Sequence, residues 1–299
     1  MDLKNKSYKK IMLKTKKELF INLLEKNINI LQCPICKNEV SLTNGSVKCN
    51  NNHSFDISRK GVLLLHKKYK KCQDEIYTKQ LFTNRRNFIL KGFYNDVYNV
   101  INKIIYNKYQ NKKINLLDLG SGECSHIKQI MKENFNVFAV DLSYNAIELA
   151  SDYLKDNILA ICADVYNLPF KNKSFDCIID LLSPFNSIET KRVLKENGIL
   201  IKIIPTKEYL KELRNVLCLN DYEKEEDIIN NISKNFNILD KTNVSKCFEL
   251  DEQTKKELIN MTPLSNHLNI SPIIYEKLNK ITINLDILCC INKSNQNFY

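Results

Sequence analysis

Four soft donors fall early in the chain at a spacing that suits one metal ion: Cys33-Pro34-Ile35-Cys36, then Cys49 with His53 four positions on. Each pair makes a short knuckle that brings two donors to one side of a turn. Two knuckles complete a closed tetrahedron, the geometry of structural zinc. Four protein ligands leave no open position for a catalytic water, so the expected role of the ion is structural. Between the knuckles, Gly45 and the alternation of Val47 with Cys49 predict a small hairpin. A module this short cannot bury an adequate core, and the metal is expected to supply its folding free energy.

A second set of residues begins at Leu116-Leu117-Asp118-Leu119-Gly120-Ser121-Gly122-Glu123-Cys124. A buried strand runs into two glycines one residue apart, and Ser125 to Ile130 follow with helical spacing. Glycines at such a turn let the backbone approach a ligand closely, and the free N–H groups of the next helix face it. The dinucleotide-binding form needs a third glycine where Ser125 stands, which disfavours a pyrophosphate. Asp141 lies about 20 residues beyond the turn, where a carboxylate accepts hydrogen bonds from both hydroxyls of a ribose. Asp164 is placed to accept from the exocyclic amine of an adenine. Together they predict an adenosine cofactor bound without a pyrophosphate.

The elements expected to position these residues alternate. Strands are predicted at 114–119, 137–140, 159–162, 175–182 and 199–204, with helices between them. Their ends carry Gly120, Asp141, Asp164 and Ser183-Pro184-Phe185. This alternation predicts an α/β, doubly wound parallel sheet with ligands outside the carboxyl ends of its strands. Asn197-Gly198 reads as a helix-ending signal. Residues 206–270 read as mostly helical with strand character near 236–239, and 281–291 as a last strand. Upstream, 74–110 reads as two helices, with Gly92 breaking the first pattern and Tyr94 opening the second. The expected organisation is a basic extension at 1–31, a zinc module at 32–71, a helical linker at 72–113 and the nucleotide-binding domain at 114–299.

Charge adds a partner class. The 299-residue chain carries a formal +11, and residues 1–71 hold 16 Lys and Arg against 5 Asp and Glu, whereas 72–299 hold 29 of each. An excess confined to one end predicts contact with a polyanion there. Lys67, Lys68, Lys70 and Lys71 around Tyr69 suit phosphate contact with base stacking. Arg85 and Arg86 suit either an RNA phosphate or a cofactor carboxylate. No apolar run approaches the roughly 20 residues of a membrane span. Eleven cysteines, with Cys289-Cys290 adjacent in a strand pattern, predict reduced core thiols in a cytoplasmic protein.

On these residues the chain resembles class I S-adenosylmethionine-dependent methyltransferases. The resemblance rests on residues 117–123, Asp141, Ala163-Asp164 with Leu168-Pro169-Phe170, Ser174-Phe175-Asp176 and residues 192–198. With the zinc spacing added, it is similar to the RlmA family of 23S rRNA (guanine-N1)-methyltransferases, the tylosin-resistance type included. The family's R-R-x-F-L-x-x-G-x-Y appears as Arg85, Arg86, Phe88, Ile89, Gly92 and Tyr94, and its M-T-P-F as Met261-Thr262-Pro263-Leu264. The resemblance covers the chain from about Asn29 onward.

It implies a class I methyltransferase fold, a Rossmann-like doubly wound sheet, with a small N-terminal zinc-binding β domain. It implies S-adenosylmethionine over Gly120 and Gly122, with Glu123, Ser125 and His126 at its methionine end. Asp141 would take the ribose, Asp164 the adenine, and Tyr94 would pack on the cofactor from the linker helices. Tyr209 stands where the family often has a cofactor-side histidine, and Cys124 stands in place of the usual third glycine. The implied substrate is a guanine in a 23S rRNA hairpin loop, recognised with help from the zinc module, by an enzyme for which a homodimer is a family expectation. Ser183-Pro184-Phe185 resembles the pocket of amino-methylating enzymes, with Phe185 either stacking on the base or joining the core. Asp180 reads as a structural charge. Two rivals remain: a small-molecule methyltransferase, which would not need a basic zinc module, and an RNA-binding scaffold with a dead pocket, which the intact glycines and aspartates oppose.

Overall fold

Two sheets organise the computed structural model, which describes residues 14–66, 76–220, 224–265 and 271–293. The smaller sheet is an antiparallel set of β1 (Val40–Thr43), β2 (Ser46–Cys49) and β3 (Ser54–Asp56). The larger contains β4 (Ile114–Leu119), β5 (Phe135–Asp141), β6 (Ile158–Cys162), β7 (Phe175–Leu181), β8 (Leu194–Pro205), β9 (Phe236–Glu249) and β10 (Lys280–Asn292), in the order β6-β5-β4-β7-β8-β10-β9. The first five strands in that order are parallel. From β4 the chain winds outward to β5 and β6, then returns to add β7 on the other side of β4. That reversal places the ligand crevice at the carboxyl ends of β4 and its neighbours.

Side-chain alternation along the strands builds two cores. Leu116, Val137, Ala139, Ala160, Ile179 and Ile201 face one side, while Leu117, Phe138, Val140, Leu159, Ile178 and Leu200 face the other. The helices divide between these faces. They are α1 (Lys16–Glu25), α2 (Lys79–Leu90), α3 (Asn95–Tyr109), α4 (Ser125–Ile130), α5 (Tyr144–Ala150), α6 (Ser187–Val193), α7 (Lys211–Val216), α8 (Glu225–Ser233), α9 (Glu252–Asn260) and α10 (Pro272–Lys277). Val97, Ile101 and Ile105 of α3 recur at helical spacing and join the first core. Among the described residues, no helix is long and apolar enough to cross a membrane.

The N-terminal segment is built into the second core. Thr15 and Glu18 form a reciprocal capping box that starts α1. Phe20, Leu23 and Leu24 of α1 then pack with Val47, Ile57, Leu63 and Leu65 against Phe138 and Phe170. Leu65 N–H donates to the Cys162 carbonyl at 2.8 Å and Cys162 N–H to the Leu63 carbonyl at 3.0 Å. A short extended piece of the N-terminal region thus continues the large sheet beyond β6. Over its described part, the expected basic extension forms a helix docked on the second core.

Three expectations need correction. The sheet is mixed, because β10 runs antiparallel to β8, and β9 antiparallel to β10. An antiparallel edge on an otherwise parallel sheet is common in doubly wound folds, and the helices cover the faces of the parallel strands. Residues 236–249, read as strand only at their start, form one 14-residue strand. That strand is an edge, and its Asp240-Lys241-Thr242-Asn243 stretch is polar on both faces, so it lacks period-two alternation. Asn197-Gly198 does not stop a helix. α6 already ends at Val193, and Gly198 lies inside β8, where a Cβ would sit 2.8 Å from the Asp176 carbonyl oxygen.

Candidate active site and metal centre

The two knuckles bring their donors together. Cys33 Sγ and Cys49 Sγ lie 3.5 and 3.3 Å from His53 Nδ1, and Cys36 Sγ lies 3.7 Å from Cys49 Sγ. All four ligand atoms fall within 4.8 Å of one another. A tetrahedron with zinc–sulfur bonds of about 2.3 Å has sulfur–sulfur edges of about 3.8 Å. The donor set therefore fits zinc, with His53 ligating through Nδ1. The second knuckle is shaped by its own backbone: Cys49 N–H donates to the His53 carbonyl at 3.1 Å, and Asn52 N–H to the Cys49 carbonyl at 3.0 Å, with Asn52 at φ +61°.

Because Val47 and Ile57 of the ribbon share a core with the large sheet, metal loss is expected to be felt beyond the ribbon. Cys36→Ser should abolish stoichiometric zinc, measured by elemental analysis, and lower the melting temperature of the whole chain. An unchanged melting curve in the zinc-free variant would show that the ribbon folds without metal.

The second constellation forms at the end of β4. Gly120 has φ +63°, and a Cβ there would lie 2.3 Å from Ser183 Cβ, so only glycine lets the turn meet the loop after β7. Gly122 (φ +55°) and Cys124 (φ +68°) are also left-handed. Cys124 thus adopts a conformation that glycine takes without strain, at a cost of about 1–2 kcal/mol. Its thiol is fully buried, and burial holds it in the neutral form. Asp141 closes the turn. Its Oδ2 accepts from Gly122 N–H and its Oδ1 from Ser143 N–H, both at 2.8 Å. Burial raises its pKa, while those amides and Arg85 pull it back. Each oxygen keeps a lone pair for another donor. Asp164, half-buried after β6, accepts from Tyr166 N–H at 2.8 Å through Oδ1.

Aromatic residues from the linker helices wall the turn. The Tyr94 and Tyr209 hydroxyls are 2.8 Å apart, and the Tyr98 hydroxyl lies 2.6 Å from His126 Nδ1. The Tyr94 ring meets His126 edge-on at 4.9 Å. Burial, with the nearby Arg85, depresses the His126 pKa to about 3, so the imidazole is neutral at neutral pH. Arg85 lies over this turn: its Nη2 donates to the Met261 carbonyl at 3.2 Å and its guanidinium carbon lies 5.2 Å from the Phe82 ring centroid.

Several site expectations change here. Arg86 points inward: Nε donates to Glu123 Oε2 at 3.0 Å, Nη1 to Asp152 at 2.9 Å and Nη2 to the Leu149 carbonyl at 3.0 Å. It neutralises a buried acid and is committed away from RNA phosphate. Ser125 is fully buried, and its hydroxyl donates to Glu123 Oε2 at 2.6 Å, so its side chain is an internal brace. Phe185 packs 6.2 Å from Phe236, with the Lys202 ammonium 5.6 Å from its ring, which favours the core alternative over stacking on a base. Lys67, Lys68, Lys70 and Lys71 lie outside the described residues.

Two buried groups beside the turn were not read as functional. Asp118, one residue before the end of β4, has an Oδ2 without a partner among the described residues, and so does the hydroxyl of Ser121. Burial and then the neighbouring Asp180 carboxylate push the Asp118 pKa well above the carboxylate range. Lys202 of β8 is 2% exposed and donates to Asp180 Oδ1 at 2.6 Å and to the Ser183 carbonyl at 2.8 Å. The available signal was a lone acid and a lone base, each inside an apolar strand.

Comparison with known proteins decides the family. Residues 31–72 match a family model described as RlmA, N-terminal, and residues 117–202 match one described as Methyltransferase domain. The protein named "Putative 23S rRNA (guanine-N(1)-)-methyltransferase YxjB" of Bacillus subtilis is 30% identical over 88% of this chain and 97% of its own length. The chain belongs to the RlmA family. A second relative, the 23S rRNA (guanine(748)-N(1))-methyltransferase of Streptomyces fradiae, is 24% identical over 82% of this chain and 89% of its own. This RlmA-family enzyme therefore has a class I methyltransferase fold, uses S-adenosylmethionine and carries a structural zinc ribbon. The observed turn fits that cofactor. At the left-handed Gly122 a Cβ would meet nothing closer than 3.6 Å, Asp141 has acceptor capacity on both oxygens, and the Asp118 Oδ2 and the Ser121 hydroxyl are buried without a partner among the described residues.

Proposed function

We propose that this enzyme methylates N1 of an unpaired guanine in a 23S rRNA hairpin loop, and that its zinc ribbon helps to hold the RNA. What carries the reading is the seating of the ribbon on the cofactor end of the sheet. Asn167, three residues past Asp164, donates from Nδ2 to the Pro34 carbonyl at 3.0 Å and accepts from the Lys37 ammonium. The names of the two relatives supply the position on the base.

When bound, S-adenosylmethionine supplies an electrophilic methyl group. Asp141 would accept from the ribose hydroxyls and Asp164 from the adenine amine. Arg85, whose charge reaches Asp141 and His126, would pair with the cofactor carboxylate. Glu123 would act through its tie to Arg86 and Ser125, which fixes the start of α4. Tyr94, Tyr209 and His126 would close the cofactor from solvent. Ser183 and Pro184 would border the target base, with Phe185 supporting them from beneath. Guanine N1 is occupied in a Watson–Crick pair, so the base has to be presented unpaired or flipped. A hairpin with the guanine in its loop is expected to be methylated at least 100-fold faster than the same sequence in a full duplex. Equal rates on both would contradict recognition of an unpaired base.

A further inference from the structure

Three exposed apolar side chains lie on segments that meet at the loop after β6, where the ribbon is seated. Tyr166 is 58% exposed, Ile188 71% and Ile35 38%. Exposed singly, such residues are ordinary; grouped at the rim of a site, they mark a contact surface. Hydrogen bonds place them around one loop. Tyr166 N–H donates to Asp164 Oδ1 at 2.8 Å, and Asn167 N–H to the Asp164 carbonyl at 3.0 Å. Asn167 is tied to Pro34, the neighbour of Ile35, and Leu168 N–H donates at 2.8 Å to Glu189 beside Ile188. Arg192 braces the same loop by donating to the Leu168 and Phe170 carbonyls at 3.1 and 2.6 Å. The backbone is held on both sides, yet the Tyr166 ring meets no aromatic or cationic partner among the described residues.

From this we infer that Tyr166, flanked by Ile35 and Ile188, is the platform on which an unpaired base beside the target guanine stacks. The inference rests on the proposed function. A loop that presents an unpaired guanine also presents unpaired neighbours, and single-stranded bases are recognised by stacking on aromatic side chains. The loop is tied to the cofactor end through Asp164, and it borders the part of the chain that carries the net positive charge. A fixed loop also spares the ordering entropy that a mobile aromatic loses on contact.

The test is steady-state methylation of a loop-guanine hairpin by the full-length protein, together with S-adenosylmethionine binding by calorimetry. Tyr166→Ala should raise the KM for RNA about tenfold or more, as expected for loss of one base–aromatic stack, with the loss on KM rather than kcat. Tyr166→Phe keeps the ring and should hold KM within about twofold of the wild type. A wild-type-like KM in Tyr166→Ala would overturn the inference. So would weakened cofactor binding in that variant, which would show that the residue acts through Asp164. A changed sedimentation coefficient with unchanged KM would identify these side chains as a contact between copies of this chain and also overturn it. A wild-type protein that binds cofactor but does not methylate the hairpin would instead sink the proposed function, and the stacking role with it.

Discussion

Lys202→Met is expected to lower the free energy of unfolding by about 3–5 kcal/mol, the cost of stranding one partner of a buried ion pair. Methionine nearly matches the lysine stem in volume, so the loss is electrostatic rather than a cavity effect. The ammonium is almost inaccessible, and Asp180, on the neighbouring strand, is fully buried. Asp180 Oδ1 accepts from Lys202 at 2.6 Å and from the Ser183 hydroxyl at 2.7 Å, whereas its Oδ2 already lacks a partner among the described residues. Burial pushes the Asp180 carboxyl above its ordinary range, and Lys202 is the first of the groups that oppose it. Without that cation the carboxylate must be protonated or remain buried and uncompensated. The double variant Asp180→Asn with Lys202→Met removes both charges and should recover most of the loss in urea denaturation. A single variant within about 1 kcal/mol of wild type would mean that the pair is solvated and does not support the loop at Ser183.

The second large effect concerns the cofactor. Asp141→Ala should weaken S-adenosylmethionine binding about 100-fold, or about 2.7 kcal/mol, which is the scale of losing hydrogen bonds to a charged acceptor. Two consequences of the geometry add: the ribose acceptors disappear, and Gly122 N–H loses the carboxylate that holds the turn. Because burial raises the Asp141 pKa, removing the carboxylate relieves a desolvation cost that offsets part of the loss of its bonds to Gly122 and Ser143, and the fold should survive. Calorimetric titration measures the affinity directly. An unchanged Kd would confine Asp141 to bracing the turn.

Signals carried by neighbours in sequence were legible before the fold was known. The Cys33/Cys36/Cys49/His53 spacing, the glycine turn and the acids at the ends of β5 and β6 all depend on local chain geometry, and the structure brings the four zinc donors within 4.8 Å of one another. What was hidden depends on partners far apart in the chain. Arg86 looked like a phosphate ligand because Glu123 and Asp152 lie 37 and 66 residues away. Lys202 and Asp180 are 22 residues apart and meet only because β7 and β8 pair in register. Phe185 joins the core because Phe236, the first residue of β9, lies against it. β9 itself was largely missed, since an edge strand exposed on both faces loses the alternation that marks a strand.

Cys124 now has a defined place. It takes the left-handed residue of the turn that glycine would fill without strain, and its buried thiol packs in the core beneath α4.

The central claim is tested most directly by the identity of the product. Incubating the protein with S-adenosylmethionine and a 23S rRNA hairpin, then digesting the RNA to nucleosides, should yield N1-methylguanosine from a loop position by chromatography and mass spectrometry. Methylation at an exocyclic amine or on another base, or no methylated nucleoside from a protein that binds the cofactor, would contradict it.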